Sequence, residues 1–349
     1  MISYQVEAFG KPLAKALREV PTPTGSEVIV RVEACGVCHS DVHLHDGFFD
    51  TGSGGKMDMT KAMMLPRTMG HEIAGTVVAV GPDAIGAQVG DRRVVYPWLG
   101  CGSCSVCQSG EEQICNRPRA LGIQRDGGFA SHVVVPHAKY LVDFGPLPVD
   151  EACTYACSGL TAYGALKKIV PLGQGDTILI IGAGGVGLSG IRLAKQVHPQ
   201  ARVVVAELDT SKWEIAKSAG ADEVLNPSAD GALRNLIKAT GGVAAAVDFV
   251  GASSTFDFGL GALRKGGQLV CVGLFGGNTT VVPMMIPMRA ISIHGAYVGS
   301  LAEMQELMAI ARAGKLPPMP LTSQPLANAT QALDDLRAGR TKGRTILVP

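Results

Sequence analysis

Several features are scarce in this chain of 349 residues, and each scarcity excludes something. Charged residues make up only 17%, and the 31 bases and 30 acids are interspersed, leaving a net charge of +1. A nucleic-acid binder carries a basic excess or stripe, so that class is set aside. No stretch reaches the roughly 20 uninterrupted apolar residues that span a bilayer. The opening segment, MISYQVEAFGKPL, lacks the charged-then-apolar layout of a signal peptide. A soluble, cytoplasmic protein acting on a small molecule is expected. Aromatic residues are few, at 5%, and there is neither an internal repeat nor a low-complexity tract.

What is present is apolar and glycine-rich. Hydrophobic residues reach 46%, enough for sizeable cores, and the length fits two or three domains. Glycine, at 45 residues, suits tight turns and close backbone approaches. Nine cysteines form an odd set, and four of them crowd into residues 101–115. In a reducing compartment such crowding points to metal rather than to disulfides.

The first 150 residues read as short strands broken by Gly and Pro, among them Glu27–Ala34, Ile73–Val80 and Phe129–Pro136. From Thr177 onward, strands alternate with helices. Thr177–Ile181, Arg202–Ala206, Ala244–Val250 and Gln268–Val272 are strands. Val186–Val197, Ser211–Ala219 and Thr255–Leu263 are helical. Such alternation implies a doubly wound parallel sheet, so the fold class is α/β. The tail adds a strand near Ile291–Gly295, a helix near Leu301–Ala313, a Pro-rich break and a final strand Arg344–Val348. Phe48–Met64 is a Gly- and Met-rich stretch. It reads equally as a mobile loop over an active site or as a surface excursion packed by its own methionines.

Two sites are legible from spacing. Gly182, Gly184 and Gly187 form GxGxxG between a strand and a helix, the context a dinucleotide fingerprint requires. Gly182 permits the turn, Gly184 lets a pyrophosphate approach, and Gly187 allows helix and strand to close up. Gly185 and Val186 complete the turn, whose helix N-terminus attracts phosphate. The plainer alternative is an ordinary glycine-rich turn. Glu207 stands at the end of the next strand, where a carboxylate binds ribose hydroxyls and repels the 2′-phosphate of NADP. NAD is therefore favoured, although Lys212 nearby could soften that repulsion. Lys212 and Val272 are assigned to the same cofactor site. The second site is Cys101, Cys104, Cys107 and Cys115, four thiolates able to close around a structural zinc, with an iron–sulfur cluster as the rival.

The remaining candidates lie far apart: Cys35-Gly-Val-Cys-His-Ser-Asp41, Gly70-His-Glu72 and Cys157-Ser-Gly-Leu-Thr161. With the four-Cys lobe, GAGGVG and a terminal GRTIL, these motifs follow one order along nearly the whole chain. In that order the chain resembles the zinc-containing medium-chain alcohol dehydrogenases. The resemblance implies that Cys38, His71 and Cys157 hold a catalytic zinc. Two Cys and one His are the known catalytic zinc set of alcohol dehydrogenases, so the ligand count comes from the family and not from spacing. It further implies that Asp41 orients His71, and that Glu72 can approach the metal from behind. Ser40 and His43 would relay the alcohol proton, while His39 and Arg344 meet the pyrophosphate and Thr161 the nicotinamide end. Trp98 would wall the substrate pocket with Ser40. Plainer readings stay open. His45 rivals His43, Cys153 rivals Cys157, and Trp98 could be core packing. Cys35, Cys153 and Cys271 read as small buried residues, and His132, His137, His198 and His294 carry no motif.

The expected architecture is a GroES-like domain of residues 1–153 and 287–349, with a zinc lobe at about 97–117, and a Rossmann domain of residues 154–286. The expected activity is reversible, NAD-linked alcohol oxidation with two zincs per chain, in a homo-oligomer, tetramer favoured over dimer. The alternatives are a zinc-free quinone or enoyl reductase on the same fold and a non-catalytic NAD-binding protein. The Phe and Met residues of Phe48–Met64 hint at an apolar substrate.

Overall fold

The computed structural model describes residues 1–52 and 54–349. The N-terminal part is antiparallel β. Ile2–Val6 pairs with Ala14–Leu17 and with Arg67–Thr68 in a small sheet. A larger sheet runs Leu141–Asp143, Arg92–Val95, Glu72–Val80, Val28–Gly36, Arg344–Val348, Leu321–Pro325, and His132–Val135 also pairs with Val28–Gly36. The two central strands explain themselves. VIVRVEACG and EIAGTVVAV are rich in β-branched residues, and most of their positions are buried. Because Arg344–Val348 pairs with Cys35 and Gly36, the chain's end lies beside the start of the cysteine-bearing loop.

The second layer system is a six-stranded, all-parallel sheet. Its order is Glu223–Leu225, Arg202–Ala206, Thr177–Ile181, Val243–Asp248, Leu263–Cys271, Ser292–Gly295. Thr177–Ile181 is buried at every position, as a central parallel strand covered on both faces must be. Each of its isoleucines and its leucine contributes about 1.5–3 kcal/mol by leaving water. The strand order reverses between Thr177–Ile181 and Val243–Asp248, and ligands of such sheets bind outside the strand ends at that point.

Two elements fall across the expected boundaries. Ser292–Gly295 is the sixth strand of the parallel sheet, paired with Leu263–Cys271, so the Rossmann unit runs past residue 286. The junction at 153/154 falls inside a continuous helical run: Val149–Thr154, a π turn Tyr155–Gly159, then Leu160–Lys167. No linker separates the two parts there, and the run packs on both. Phe48–Met64 is a β-hairpin, Phe48–Gly52 with Gly55–Asp58, followed by a single turn Thr60–Ala62. The Pro-rich break contains the strand Leu321–Pro325 and is followed by a helix, Ala329–Arg337.

Candidate active site

The site begins at the helix His39–Asp46, whose N-cap is Cys38. Asp41 is fully buried and accepts twice: from the Cys38 backbone N–H at 2.9 Å, and from His71 Nδ1–H at 3.0 Å. A carboxylate can only accept, so the His71 proton sits on Nδ1 and the lone pair on Nε2. Nε2 is buried and has no hydrogen-bond partner among the described residues. Cys38 and Cys157 Sγ lie 4.0 Å apart, and both lie within 4.8 Å of the His71 nitrogen. Tetrahedral zinc with bonds of about 2.3 Å to sulfur spaces its thiolates by about 3.8 Å. An orphaned imidazole nitrogen facing two sulfurs at that spacing fits zinc.

The charges agree. The hydrogen bond from Cys157 and the neighbouring His71 pull the Cys38 thiol well below the usual range. The same Cys38 contact, and burial, push Cys157 well above it. Burial works against a charged His71, yet the Asp41 carboxylate and Cys38 outweigh it and raise its pKa. Cys157 owes its position to the π turn, a form frequent at functional sites.

Behind these three side chains, Glu72 is fully buried. It accepts the Ser158 backbone N–H at 3.1 Å and forms an ion pair with Arg344. Burial raises the Glu72 pKa and Arg344 opposes the rise. Arg344 also reaches the glycine-rich turn, since a Cβ on Gly185 would lie 2.5 Å from its Cδ. One side chain thus spans the Cys38–His71–Cys157 cluster and the glycine-rich turn.

In front, Ser40 Oγ lies 3.8 Å from Cys38 Sγ. The His39 and His43 rings are 6.1 Å apart, and they stand against Phe275 (5.4 Å) and Phe49 (4.6 Å) respectively. Burial lowers the pKa of both histidines. His45 is occupied elsewhere, bonded to the Lys11 carbonyl at 2.7 Å and to Arg337 at 3.1 Å. Trp98 is 5% exposed, donates Nε1–H to the Ala156 carbonyl at 3.0 Å, and lies 5.2 Å from the His71 ring. Thr161 is nearly buried in the helix after Cys157.

Tyr297 went unnoticed in the sequence. The residue is half exposed; its ring stands edge-on to Trp98 at 6.0 Å, and partial desolvation together with the nearby Cys157 raises its pKa. The signal lay one residue on, in a form no sequence shows. Val298 has φ 44, a left-handed conformation unusual for a β-branched residue and typical of strained ligand sites.

The glycine-rich turn is tightly built. Gly182 has φ 89, and a Cβ on Gly187 would lie 1.9 Å from the Gly182 carbonyl oxygen, so only glycine lets the helix Gly185–Val197 start there. A Cβ on Gly184 would meet nothing within 4 Å, which leaves open space in front of the helix N-terminus. Glu207 accepts the Ala183 N–H at 2.6 Å and the Asp209 N–H at 2.9 Å, which fixes its carboxylate against the turn. Lys212 pairs with Asp209 at 3.8 Å rather than with Glu207. The Val272 N–H bonds to the Asp248 carbonyl at the carboxyl end of the sheet.

The second cysteine cluster is tighter. Cys104–Cys107, Cys104–Cys115 and Cys101–Cys107 Sγ pairs lie 3.5, 3.8 and 4.0 Å apart, again bracketing the tetrahedral zinc spacing. Hydrogen bonds from the Ser103 backbone and hydroxyl bring Cys101 down to about 5, whereas burial pushes Cys107 up to about 12. Glu112 anchors the lobe by accepting from Gly100 N–H, Lys139 and Tyr140. Cys35 and Cys153 are fully buried thiols outside both clusters.

Comparison with known proteins gives one consistent family. Residues 24–146 match the alcohol dehydrogenase GroES-like domain, and residues 185–313 match the zinc-binding dehydrogenase domain. The second match includes the sixth parallel strand. An NAD-dependent alcohol dehydrogenase of Saccharolobus solfataricus is 38% identical over 354 aligned positions, covering all of both chains. An alcohol dehydrogenase of Geobacillus stearothermophilus is 35% identical over 98% of each. The crystal structure of the Aeropyrum pernix alcohol dehydrogenase superposes with a TM-score of 0.88, at 30% identity and full coverage of both chains.

Proposed function

Because the chain belongs to the zinc-containing medium-chain alcohol dehydrogenases, we propose that it catalyses reversible, NAD-linked oxidation of primary or secondary alcohols to aldehydes or ketones. The observation that carries this proposal is the unpartnered His71 Nε2 facing the Cys38 and Cys157 sulfurs in a buried pocket. Zinc held by these three would supply a Lewis acid for the substrate oxygen, and NAD would supply the hydride acceptor. A second zinc belongs with Cys101, Cys104, Cys107 and Cys115, where four thiolates leave no open position.

The chain's own groups do the rest. Asp41 keeps the His71 lone pair on Nε2, the atom that must bind metal. Ser40 Oγ takes the alcohol proton and His43 passes it to solvent; the lowered pKa of His43 keeps its ring neutral and able to accept at pH 7. Arg344, His39, Thr161 and Val272 hold the cofactor along the open turn at Gly184. Glu207 and Lys212 take its adenosine end, and the Glu207 carboxylate favours NAD over NADP. Glu72 holds Arg344 and the Ser158 backbone in place. Trp98 and Tyr297 form an aromatic wall beside His71.

A homotetramer, rather than a dimer, is the favoured assembly. Ser292–Gly295 is an uncovered sheet edge, with Met284, Met285, Met288 and Ile293 exposed around it. The proposed location is the cytoplasm, where both cysteine sets stay reduced.

Zinc per chain, and NAD and NADP reduction across an alcohol panel, measured with a Cys38→Ser variant alongside, test the proposal. Near two zincs with NAD-dependent turnover lost in the variant is expected. One zinc, or turnover indifferent to Cys38, would transfer the case to the zinc-free reductase.

A further inference from the structure

Arg192 is a charge in an unexpected place. It lies five positions after Gly187 on the helix Gly185–Val197 and is 3% exposed among Leu188, Ile191 and Leu193. Its guanidinium reaches three residues on two other segments. Nη2 donates to Glu151 Oε1 at 2.5 Å and lies 3.4 Å from the Tyr155 hydroxyl, and Nε donates to the Pro317 carbonyl. Tyr155 O–H in turn donates to Glu151 Oε1 at 2.9 Å.

Each partner has a defined place. Glu151 is on Val149–Thr154, the helix that feeds the π turn. Tyr155 is the first residue of that turn, two before Cys157, and its ring closes on the backbone: a Cβ on Gly159 would lie 2.6 Å from Tyr155 Cδ1. Pro317 lies between the helix Leu301–Arg312 and the strand Leu321–Pro325. Arg192 itself belongs to the helix whose first turn cradles the dinucleotide. Burying a guanidinium costs several kcal/mol, and a well-packed apolar side chain of the same volume often serves stability as well or better. Net stability therefore does not account for an arginine here. A planar fork that ties its own helix to two other segments at fixed angles does account for it.

We propose that Arg192 is a positioning residue that clamps the π turn bearing Cys157 to the dinucleotide-binding helix, so that the metal-binding thiolate and the cofactor cradle are held as one rigid unit. The proposal rests on Cys38, His71 and Cys157 being a metal site. Residues that orient ligands from behind typically matter 10- to 100-fold in metal affinity, and Arg192 would act on Cys157 through Tyr155.

The test uses the full-length zinc enzyme and its cobalt-substituted form. In Arg192→Met the three-ligand site should lose zinc to a chelator about 10-fold more readily. Its cobalt–thiolate absorption should shift as well, whereas the four-cysteine site, an internal reference, keeps its metal. Arg192→Lys restores the Glu151 contact and should recover part of the retention. Should Arg192→Met fail to fold, Tyr155→Phe keeps the ring under Gly159, removes only the hydroxyl, and should shift the cobalt spectrum in the same direction. Unaltered zinc retention and cobalt spectra in the folded variants, with only a lower melting temperature, would overturn the proposal. If Cys157→Ser still holds two zincs, the metal-site reading fails first and the proposal falls with it.

Discussion

Two glycines in one motif should fail in opposite ways when replaced. Gly184 has φ −75 and ψ −173, ordinary extended geometry, and an added Cβ would meet nothing within 4 Å. Gly184→Ala removes unfolded-state freedom at no steric cost, so the cofactor-free variant should be as stable as the parent or more stable by about 0.4–1 kcal/mol. The new methyl nevertheless occupies space the pyrophosphate needs. Losing one N–H bond to a charged phosphate, at about 1.5–3 kcal/mol, should weaken NAD roughly 10- to 100-fold. Gly187→Ala is the reverse. Its Cβ would lie 1.9 Å from the Gly182 oxygen and 2.9 Å from the Gly182 carbon, both backbone atoms that cannot swing aside. The helix must retreat from Thr177–Ile181, an overpacking that costs about 1–3 kcal/mol or more before any ligand is added.

Thermal unfolding with and without NAD separates the two effects. At an NAD concentration 100 times the parent's dissociation constant, ligand binding stabilises the parent by about 2.7 kcal/mol. A variant binding 100-fold more weakly gains about 0.4 kcal/mol at the same concentration. Gly184→Ala should therefore match the parent's melting temperature without cofactor and lose most of the NAD-induced rise. The reasoning is refuted if Gly184→Ala melts early without cofactor or keeps the full rise, or if Gly187→Ala is as stable as the parent.

Three further outcomes follow from the site. Asparagine at position 41 can accept at only one of the two contacts Asp41 makes, so Asp41→Asn should release zinc from the three-ligand site about 10- to 100-fold more readily in chelator competition; parental retention would remove the orienting role. His43→Gln should slow alcohol oxidation about 100-fold with partial rescue by added imidazole. Because burial, and then His39, lower the His43 pKa, the acid limb it causes in the parent should lie below about 6.5 and vanish in the variant; a variant within twofold of the parent sinks the relay. Glu112 has its pKa lowered, burial being outweighed by Lys139, Tyr140 and the Gly100 N–H. Its stabilisation is thus complete above the ordinary carboxylate pKa and is lost as pH falls through the lowered value. The melting-temperature gap between parent and Glu112→Gln should be constant above about pH 5 and close in more acid solution; a gap that persists at low pH contradicts the assignment.

The parallel sheet was legible because buried strands such as TILII announce themselves as continuous apolar runs. The four-cysteine cluster was legible because its members are local in sequence. The three-ligand site was not legible from spacing: Cys38, His71 and Cys157 meet only through the strand pairing of Val28–Gly36 with Glu72–Val80 and through a π turn, and resemblance alone brought them together. The helix His39–Asp46 escaped notice because HSDVHLHD has little amphipathic character; its tertiary partners hold it. Leu321–Pro325 is a polar strand sheltered by pairing with the C-terminus. Tyr297 and Arg192 carried no motif, since their roles depend on which segments lie next to them.

Phe48–Met64 left two readings open, and the structure divides the segment between them. Met63 is fully buried and Met64 is 79% exposed. Phe49 stands against His43, and Lys56 covers Phe48 at 3.8 Å, so the hairpin's rings are engaged by its own neighbours. The hairpin also meets the Rossmann loop backbone to backbone: a Cβ on Gly52 would lie 2.5 Å from the Gly277 Cα, and one on Gly276 would lie 1.9 Å from the Asp50 oxygen. Gly276 has φ 90, so alanine there is both strained and obstructed. Gly276→Ala should therefore push the hairpin away, raise hydrogen exchange along Phe48–Asp58, and weaken NAD while zinc content stays at the parental value. Since Phe49 covers His43, shortening the hairpin should slow proton transfer and leave the rank order of alcohols unchanged. A changed substrate order, with exchange in Gly276→Ala at the parental level, would show that the hairpin lines the substrate pocket instead of covering the relay.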